Sequence, residues 1–468
     1  MSAPNFWEVL NRGINTGVPT IVKDFDMKIF TETSRLVKEY DIKYDPSVYV
    51  PDVDSLADDV WKAGLELFLS TGMYCMDSRR VIKFDDSEVK SALSQVDDKV
   101  EIGAGKEKRL ATRRGIAGDK PPVIVGGVIE SDISEGENFI KLYQSIAQEP
   151  LIDGLYVGPP VHTSEGHMLR KGTPLEVHSG YRMAVWVREA LRRAGRPGLH
   201  FVSACPSAIG DIAACSPEHG VRQTDGIMVS VIAELKTDYE ALGKVAYALD
   251  YGCIRGTHGG AVIGGWAGGP EGATIVSIAD FLGAVMVYQH NVGPVYGDHG
   301  LTRNPGTVPT SSFNPGMWGT ELTGQAIARN YRGLNGRFFL TAAGPGTEMQ
   351  LWEIAALTIA GLASGRDMFC GGGIRRYKVR PMLGSALENK FHAELGHSAT
   401  GIKRGNANEL VKQIVEKYRD RITKDGGPWG HTFNEIYDLD TLEPRPKYVE
   451  IYSRVKSELV DMGIEFKY

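Results

Sequence analysis

The sequence predicts an α/β protein whose body is a (β/α)8 TIM barrel with helical extensions before and after it. Three observations predict this. Short β-branched or apolar runs alternate with longer stretches of helical spacing, most runs end in Gly or Ser, and eight such runs can be counted after Pro121 and Pro122. Alternating strand and helix patterns imply parallel strands, and eight of them suit a closed barrel better than an open doubly wound sheet. No GxGxxG or GxxxxGKS/T motif follows any run, so nucleotide binding has no support.

Residues 1–118 read as a mostly helical N-terminal extension, with Val60, Leu65, Leu67 and Phe68 at helical spacing before Gly72. A polar, basic stretch from Lys106 to Lys120 closes it, and its cluster of Lys106, Lys108, Arg109, Arg113 and Arg114 is assigned no chemistry. Residues 119–384 hold the barrel. Its strands are expected at Val123 to Gly127, Leu155 to Gly158, Leu199 to Ser203, Gly226 to Ser230, Gly252 to Gly256, Val292 to Tyr296, Arg337 to Ala342, and Asp367 to Gly371. From 385 to 468 the chain returns to helix, as in Glu409 to Tyr418 and Tyr448 to Met462, and this region is expected to pack on the barrel.

With 468 residues and 42% apolar composition, the chain can bury a large core. A net charge of -6 lacks the concentrated positive charge of nucleic-acid binders. The five cysteines are dispersed without a CxxC pair, which points away from a disulfide framework or zinc ribbon and toward a reducing cytoplasm. Met1 to Arg12 lacks the basic start and apolar core of a secretory signal. No apolar run reaches the roughly 20 residues that span a bilayer, so no membrane association is expected.

Barrel enzymes work at the C-terminal ends of their strands, which directs attention to the polar residues there. His258 follows the fifth strand and titrates near neutrality, so it is a candidate acid; a structural histidine is the plain alternative. Asp298 and His299 follow the sixth strand, with Tyr296 just before them, and can orient His258, bind a metal or stand solvated. Glu348 opens the helix after the seventh strand, where a carboxylate complements the helix dipole. His162 is a lone polar residue after the second strand, and Cys205 reads as a buried thiol. After the eighth strand, Arg375, Arg376, Lys378 and Arg380 surround Tyr377, a basic loop that can bind a carboxylate or steer a protein partner.

Three segments carry a family resemblance: Ala194, Gly195, Arg196, Pro197, Gly198; Gly264, Gly265, Trp266, Ala267, Gly268, Gly269 with Ala273 to Val276; and Ala343 to Met349 with Ala363 to Arg366. In this order the chain resembles the monomethylamine:corrinoid methyltransferases. The resemblance implies a barrel that presents a small methyl donor to a partner corrinoid (cobalamin) protein, whose Co(I) takes the methyl group by in-line displacement. It also implies a homo-oligomer. In that family the strand after the first segment bears pyrrolysine; the matching residue here is Val202. The family's polar partners fall on Met228, His258, Phe338 and Leu340, so every one but His258 is apolar. A pocket lined by Val202, Met228, Phe338 and Leu340, with Tyr296 as a further substrate-binding residue, would hold methylammonium poorly, because an unpaired buried charge costs several kcal/mol.

An uncharged aromatic suits those side chains, and aryl-ether O-demethylases of anaerobes resemble this family without pyrrolysine. The expected donor is therefore a methoxylated aromatic, with His258 assisting phenolate departure, supported by Asp298, His299 and Glu348, and with Arg375 and Arg376 binding a ring carboxylate. Zinc is a possible cofactor, and its closest ligand pattern is Glu394, Glu409 and His431. Two rivals stand beside this reading: a methylated or quaternary amine held by Phe338 and Trp266 through cation–π attraction, and a non-catalytic paralogue.

Overall fold

Eight parallel strands close into a barrel in the computed structural model, which describes residues 2–128, 135–158, 163–289, 295–297 (backbone only), 310–371 and 382–468. The strands are β1 (Val123–Gly127), β2 (Gly154–Val157), β3 (His200–Ser203), β4 (Gly226–Ser230), β5 (Ile254–Gly259), β6 (Val295–Gly297), β7 (Asn335–Phe338) and β8 (Met368–Cys370). Each pairs in parallel with the next, and β8 returns to β1 through Phe369 beside Ile124. The helices that follow them are α1 (Glu137–Ala147), α2 (Pro174–Arg193), α3 (Ala208–Ala214), α4 (Tyr239–Tyr251), α5 (Pro270–Val287), α6 (Gly316–Asn330), α7 (Glu348–Ala363) and α8 (Ala386–Ser398).

Local chemistry sets the boundaries. Asp238 caps α4 by accepting the amide of Ala241, and Gly252 ends that helix in the left-handed conformation, φ 82°, which a residue without Cβ adopts freely. Because Gly252 belongs to this cap, β5 begins at Ile254 rather than at Gly252, and His258 lies within the strand instead of in the loop after it. Strand β7 likewise begins earlier than its β-branched content suggests and ends at Phe338, so Leu340 lies beyond it.

At the N-terminal end of the barrel, three aspartates immediately precede strands and accept amides from the strand alongside. Asp153 accepts from Ile124, Asp225 from Phe201, and Asp367 from Asn335. Arginines surround each: Arg109 pairs with Asp153, Arg188 and Arg222 pair with Asp225, and the backbone amide of Arg114 donates to Asp367. The basic cluster before β1 is thus partly spent on closing the barrel.

The N-terminal region contains helices, as expected, but also strands. Val18–Pro19, Arg80–Ile82 and Met73–Cys75 form a small sheet, and the barrel itself adds Lys236–Thr237 alongside Met73–Cys75. Helices Val22–Glu39 and Asp54–Thr71 pack on α5. That helix is apolar and long enough to cross a bilayer by composition, yet it lies buried in the core formed with the N-terminal region. The C-terminal helices Arg404–Glu416 and Pro446–Asp461 pack on α7, and their apolar residues join the core that fills the barrel.

Candidate active site

Parallel strands bring all their C-terminal ends to one face of the barrel. There Val202 on β3 lies beside Tyr156 of β2 and Gly226 of β4, Met228 lies beside Gly256 of β5, and His258 is flanked by Ser230 and Tyr296. The two glycines leave room for the larger neighbours. A Cβ at Gly226 would stand 3.4 Å from Val202 Cγ2, and one at Gly256 would stand 3.2 Å from Met228 Cε. Phe338, only 3% exposed, is met by two rings nearly perpendicular to its own: Tyr156 at 5.2 Å and 85°, and His258 at 5.0 Å and 89°. Three aromatic rings and the side chains of Val202 and Met228 therefore share the barrel mouth. Leu340 is buried too, and its carbonyl accepts the Ser311 amide and the Thr310 hydroxyl.

The other expected residues distribute differently. Glu348 does not join the mouth: its side chain is 42% exposed, pairs with Arg454 of the C-terminal helix, and accepts from the indole of Trp352. Cys205 is buried, and burial pushes its thiol well above its ordinary range, which leaves it protonated. Glu394, Glu409 and His431 do not form a ligand set. Glu394 accepts from Tyr452 and Lys456, Glu409 from Lys412, and His431 lies against Glu435. No three candidate ligands converge on a metal position among the described residues. Trp266 stands 39% exposed in the loop after β5. Asp298, His299, His162, Arg375, Arg376, Tyr377, Lys378 and Arg380 lie outside the described residues, as does the side chain of Tyr296.

Several contributors have no signature in the sequence. Behind Val202, Asp211 accepts the Ser203 hydroxyl and the Cys205 amide and pairs with Lys244 at 2.7 Å. Lys244 in turn donates to the carbonyls of Cys205 and Met228, tying the ends of β3 and β4 together. Glu176 binds both the amide and the hydroxyl of Ser207. Glu353 accepts the amides of Ala342 and Ala343 and the Ser312 hydroxyl, fixing the loop after β7; burial pushes its carboxyl up to about 7 while these donors pull the other way. Such buried carboxylates are stable only because each is hydrogen-bonded.

Beside Met228 and Tyr156 a cleft of about 300 Å³ opens toward the surface, lined also by Ser230, Lys171, Asp238 and Glu240. Met228, Ile232, Ala204 and Ala241 supply its apolar lining. The approach to it is charged, which the sequence does not suggest.

The chain is similar over nearly its whole length to one group of proteins. A family model described as Monomethylamine methyltransferase MtmB matches residues 5–464. Relatives include monomethylamine methyltransferase MtmB2 of Methanosarcina barkeri, 28% identical with 96% of each chain covered, and that of Methanosarcina acetivorans, 29% identical over 95% of this chain and 94% of the relative. The crystal structure of the Methanosarcina barkeri monomethylamine methyltransferase superposes with a TM-score of 0.90 at 25% identity, and a hydroxylamine complex of MtmB with 0.91 at 26%, each covering 98% of both chains.

Proposed function

This chain belongs to the monomethylamine methyltransferase family and is a methyltransferase; on that premise we propose that it takes a methyl group from a quaternary ammonium compound and passes it to the cobalt of a separate corrinoid protein. The observation that carries this reading is the set of rings at the barrel mouth, with Tyr156 and His258 both standing against Phe338.

A primary ammonium brings three N–H donors, and the side chains of Val202, Met228, Phe338 and Leu340 offer them no strong acceptor. Burying donors without partners costs about 1 to 3 kcal/mol each. A quaternary ammonium has no N–H at all, and aromatic rings attract it by about 0.5 to 2 kcal/mol. The relatives' own substrate class, a methylated amine, and the acids Asp238 and Glu240 along the cleft also favour a cation. A methoxylated aromatic, the donor expected from the sequence, has neither support and gives way to the amine.

The chemistry asks little of the chain. When the methyl carbon is attacked, the C–N bond breaks with its electron pair going to nitrogen, and a neutral tertiary amine departs without a proton. His258 then serves as a wall of the ring set rather than as an acid. Val202 and Met228 exclude water and point the methyl group outward.

The test supplies tetramethylammonium, monomethylamine or 4-methoxybenzoate with free cob(I)alamin as acceptor and follows methylcobalamin by absorbance. Tetramethylammonium is expected to react at least about 100-fold faster than the others, the factor that about 2.7 kcal/mol confers. Faster transfer from methoxybenzoate or monomethylamine would overturn the reading.

A further inference from the structure

We infer that the cleft beside Met228 holds a tail of the methyl donor and that the donor is an N-methylated ammonium carboxylate whose carboxylate sits on Lys171. This rests on the quaternary-amine reading and narrows it. Size is the first ground. About 300 Å³ holds on the order of ten water molecules, whereas methylammonium has two heavy atoms and tetramethylammonium has five. On the proposed reading the ammonium rests against the rings, and Tyr156 belongs both to that set and to the cleft's lining, so the cleft's volume serves something attached to the ammonium.

The lining identifies that attachment. Two lysines and two acids face the cleft, and three of the four are already committed. Lys244 is saturated by Asp211 and the carbonyls of Cys205 and Met228. Asp238 accepts the Ala241 amide at 2.8 Å, and Glu240 accepts the Ala208 amide at 2.7 Å. Lys171 differs. Its ammonium forms an ion pair with Asp238 at 3.7 Å, beyond hydrogen-bond distance, and its side chain is 49% exposed at the cleft's edge. Its three N–H donors suit an incoming carboxylate, and a charge-assisted hydrogen bond of that kind is about twice as strong as a neutral one. Asp238 and Glu240 attract an ammonium and oppose a carboxylate, so it is the Lys171 charge that lets the carboxylate end of a zwitterion stand at the cleft's edge while its methyls turn inward to the rings. Methyl loss from such a donor leaves an N-dialkyl amino acid, its nitrogen keeping the bonding pair.

The experiment compares N,N,N-trimethylglycine with N,N,N-trimethylethanolammonium, which replaces the carboxylate by a hydroxymethyl group of similar size, again with cob(I)alamin. The wild-type kcat/KM is expected to favour the carboxylate donor by about tenfold or more, mostly through KM. Lys171→Gln should bring that ratio close to one, and Lys171→Arg should keep most of it. Calorimetric titration with N,N-dimethylglycine, the product, reads the same site without turnover: Lys171→Gln should weaken it about tenfold. A wild-type ratio near one, or a Lys171→Gln variant that lowers both donors equally, overturns the assignment. If neither donor nor tetramethylammonium yields methylcobalamin, the proposed function fails, while the titration still tests Lys171 by itself.

Discussion

The two ends of the barrel use buried carboxylates for opposite purposes. At the N-terminal end, Asp153, Asp225 and Asp367 bind strand to strand, each accepting an amide of its neighbour. At the C-terminal end, Glu176, Asp211 and Glu353 bind the segments that follow strands to the helices that cover them. That negative charge is spent on backbone amides and hydroxyls, and among the described residues the mouth holds Val202, Met228, Phe338, Tyr156 and His258. A pocket can therefore be apolar although the residues around it are not: the charges shape it from behind. The hydrogen-bonded shell holds the segments that follow the strands, and on the proposed reading the rings take the donor's ammonium.

The sharpest way to break this comparison is at Asp225. Burial opposes its charge, but Arg188, Arg222 and His200 hold its carboxyl below the ordinary range. Asp225→Ala removes an amide acceptor and leaves Arg188 buried without its partner, and breaking a buried pair in this way costs about 3 to 5 kcal/mol. Urea unfolding should show that loss in the midpoint. A loss below about 1 kcal/mol would mean that barrel closure does not depend on these aspartates.

Asp367 occupies the equivalent place with the opposite electrostatics. It accepts amides from Arg114 and Asn335, while the Arg114 guanidinium is turned to the carbonyls of Lys120, Gly118 and Arg366. Burial pushes its carboxyl up to about 6 against these hydrogen bonds. The folded state therefore holds this proton more tightly than the unfolded chain does. Its contribution is fully present below about pH 4 and is lost as the pH rises through about 6, with a slope of at most about 1.4 kcal/mol per pH unit. Asp367→Asn gives up one acceptor but should flatten that fall between pH 4 and 6. An unchanged slope in urea titrations across that window would assign the ionisation to another group.

The strands are largely legible because their apolar runs and closing glycines survive any tertiary context: five of the eight expected runs match within one residue, the fifth and seventh are displaced by two to four, and the sixth begins outside the described residues. The mouth is less so. Gly252 reads as the first residue of a strand and so puts His258 in the loop after it, whereas Gly252 caps α4. Tyr156 carried no motif, since a tyrosine inside a run of Gly154, Leu155 and Val157 reads as core until the register sets it beside Val202. Asp211 and Lys244 were invisible for a different reason: their partnership joins two helices across two strands, and nothing in local spacing announces it. Arg109 and Arg114, to which the sequence assigns no chemistry, meet their partners only once β2 and β8 are in place.

At the mouth, Phe338→Leu keeps volume and apolarity while removing the ring. The loss of cation–π attraction is about 1 kcal/mol, so kcat/KM for tetramethylammonium should fall roughly fivefold. The urea midpoint should move far less than for Asp225→Ala. If transfer persists at the wild-type rate in a folded variant, the rings do not hold the ammonium and the contrast between the two ends loses its functional half.

The smallest effect is expected at Glu348, which tests the same contrast from outside. Its position at the start of α7, after a barrel strand, makes it a candidate for the chemistry by sequence alone. In the fold it instead reaches outward to Arg454, and both side chains are about half exposed. Ion pairs in that setting contribute little, because water screens the charges and ordering two long side chains costs entropy; about 0.5 kcal/mol is a generous figure. Glu348→Gln keeps an acceptor for the Trp352 indole, so even the neighbouring packing should survive. The variant should match wild type in the urea midpoint within that amount and in methyl transfer within about twofold, the rate change that 0.4 kcal/mol produces. A tenfold or greater loss of transfer with an unchanged midpoint would place a carboxylate in the reaction after all, and would mean that the mouth is not governed by its rings alone.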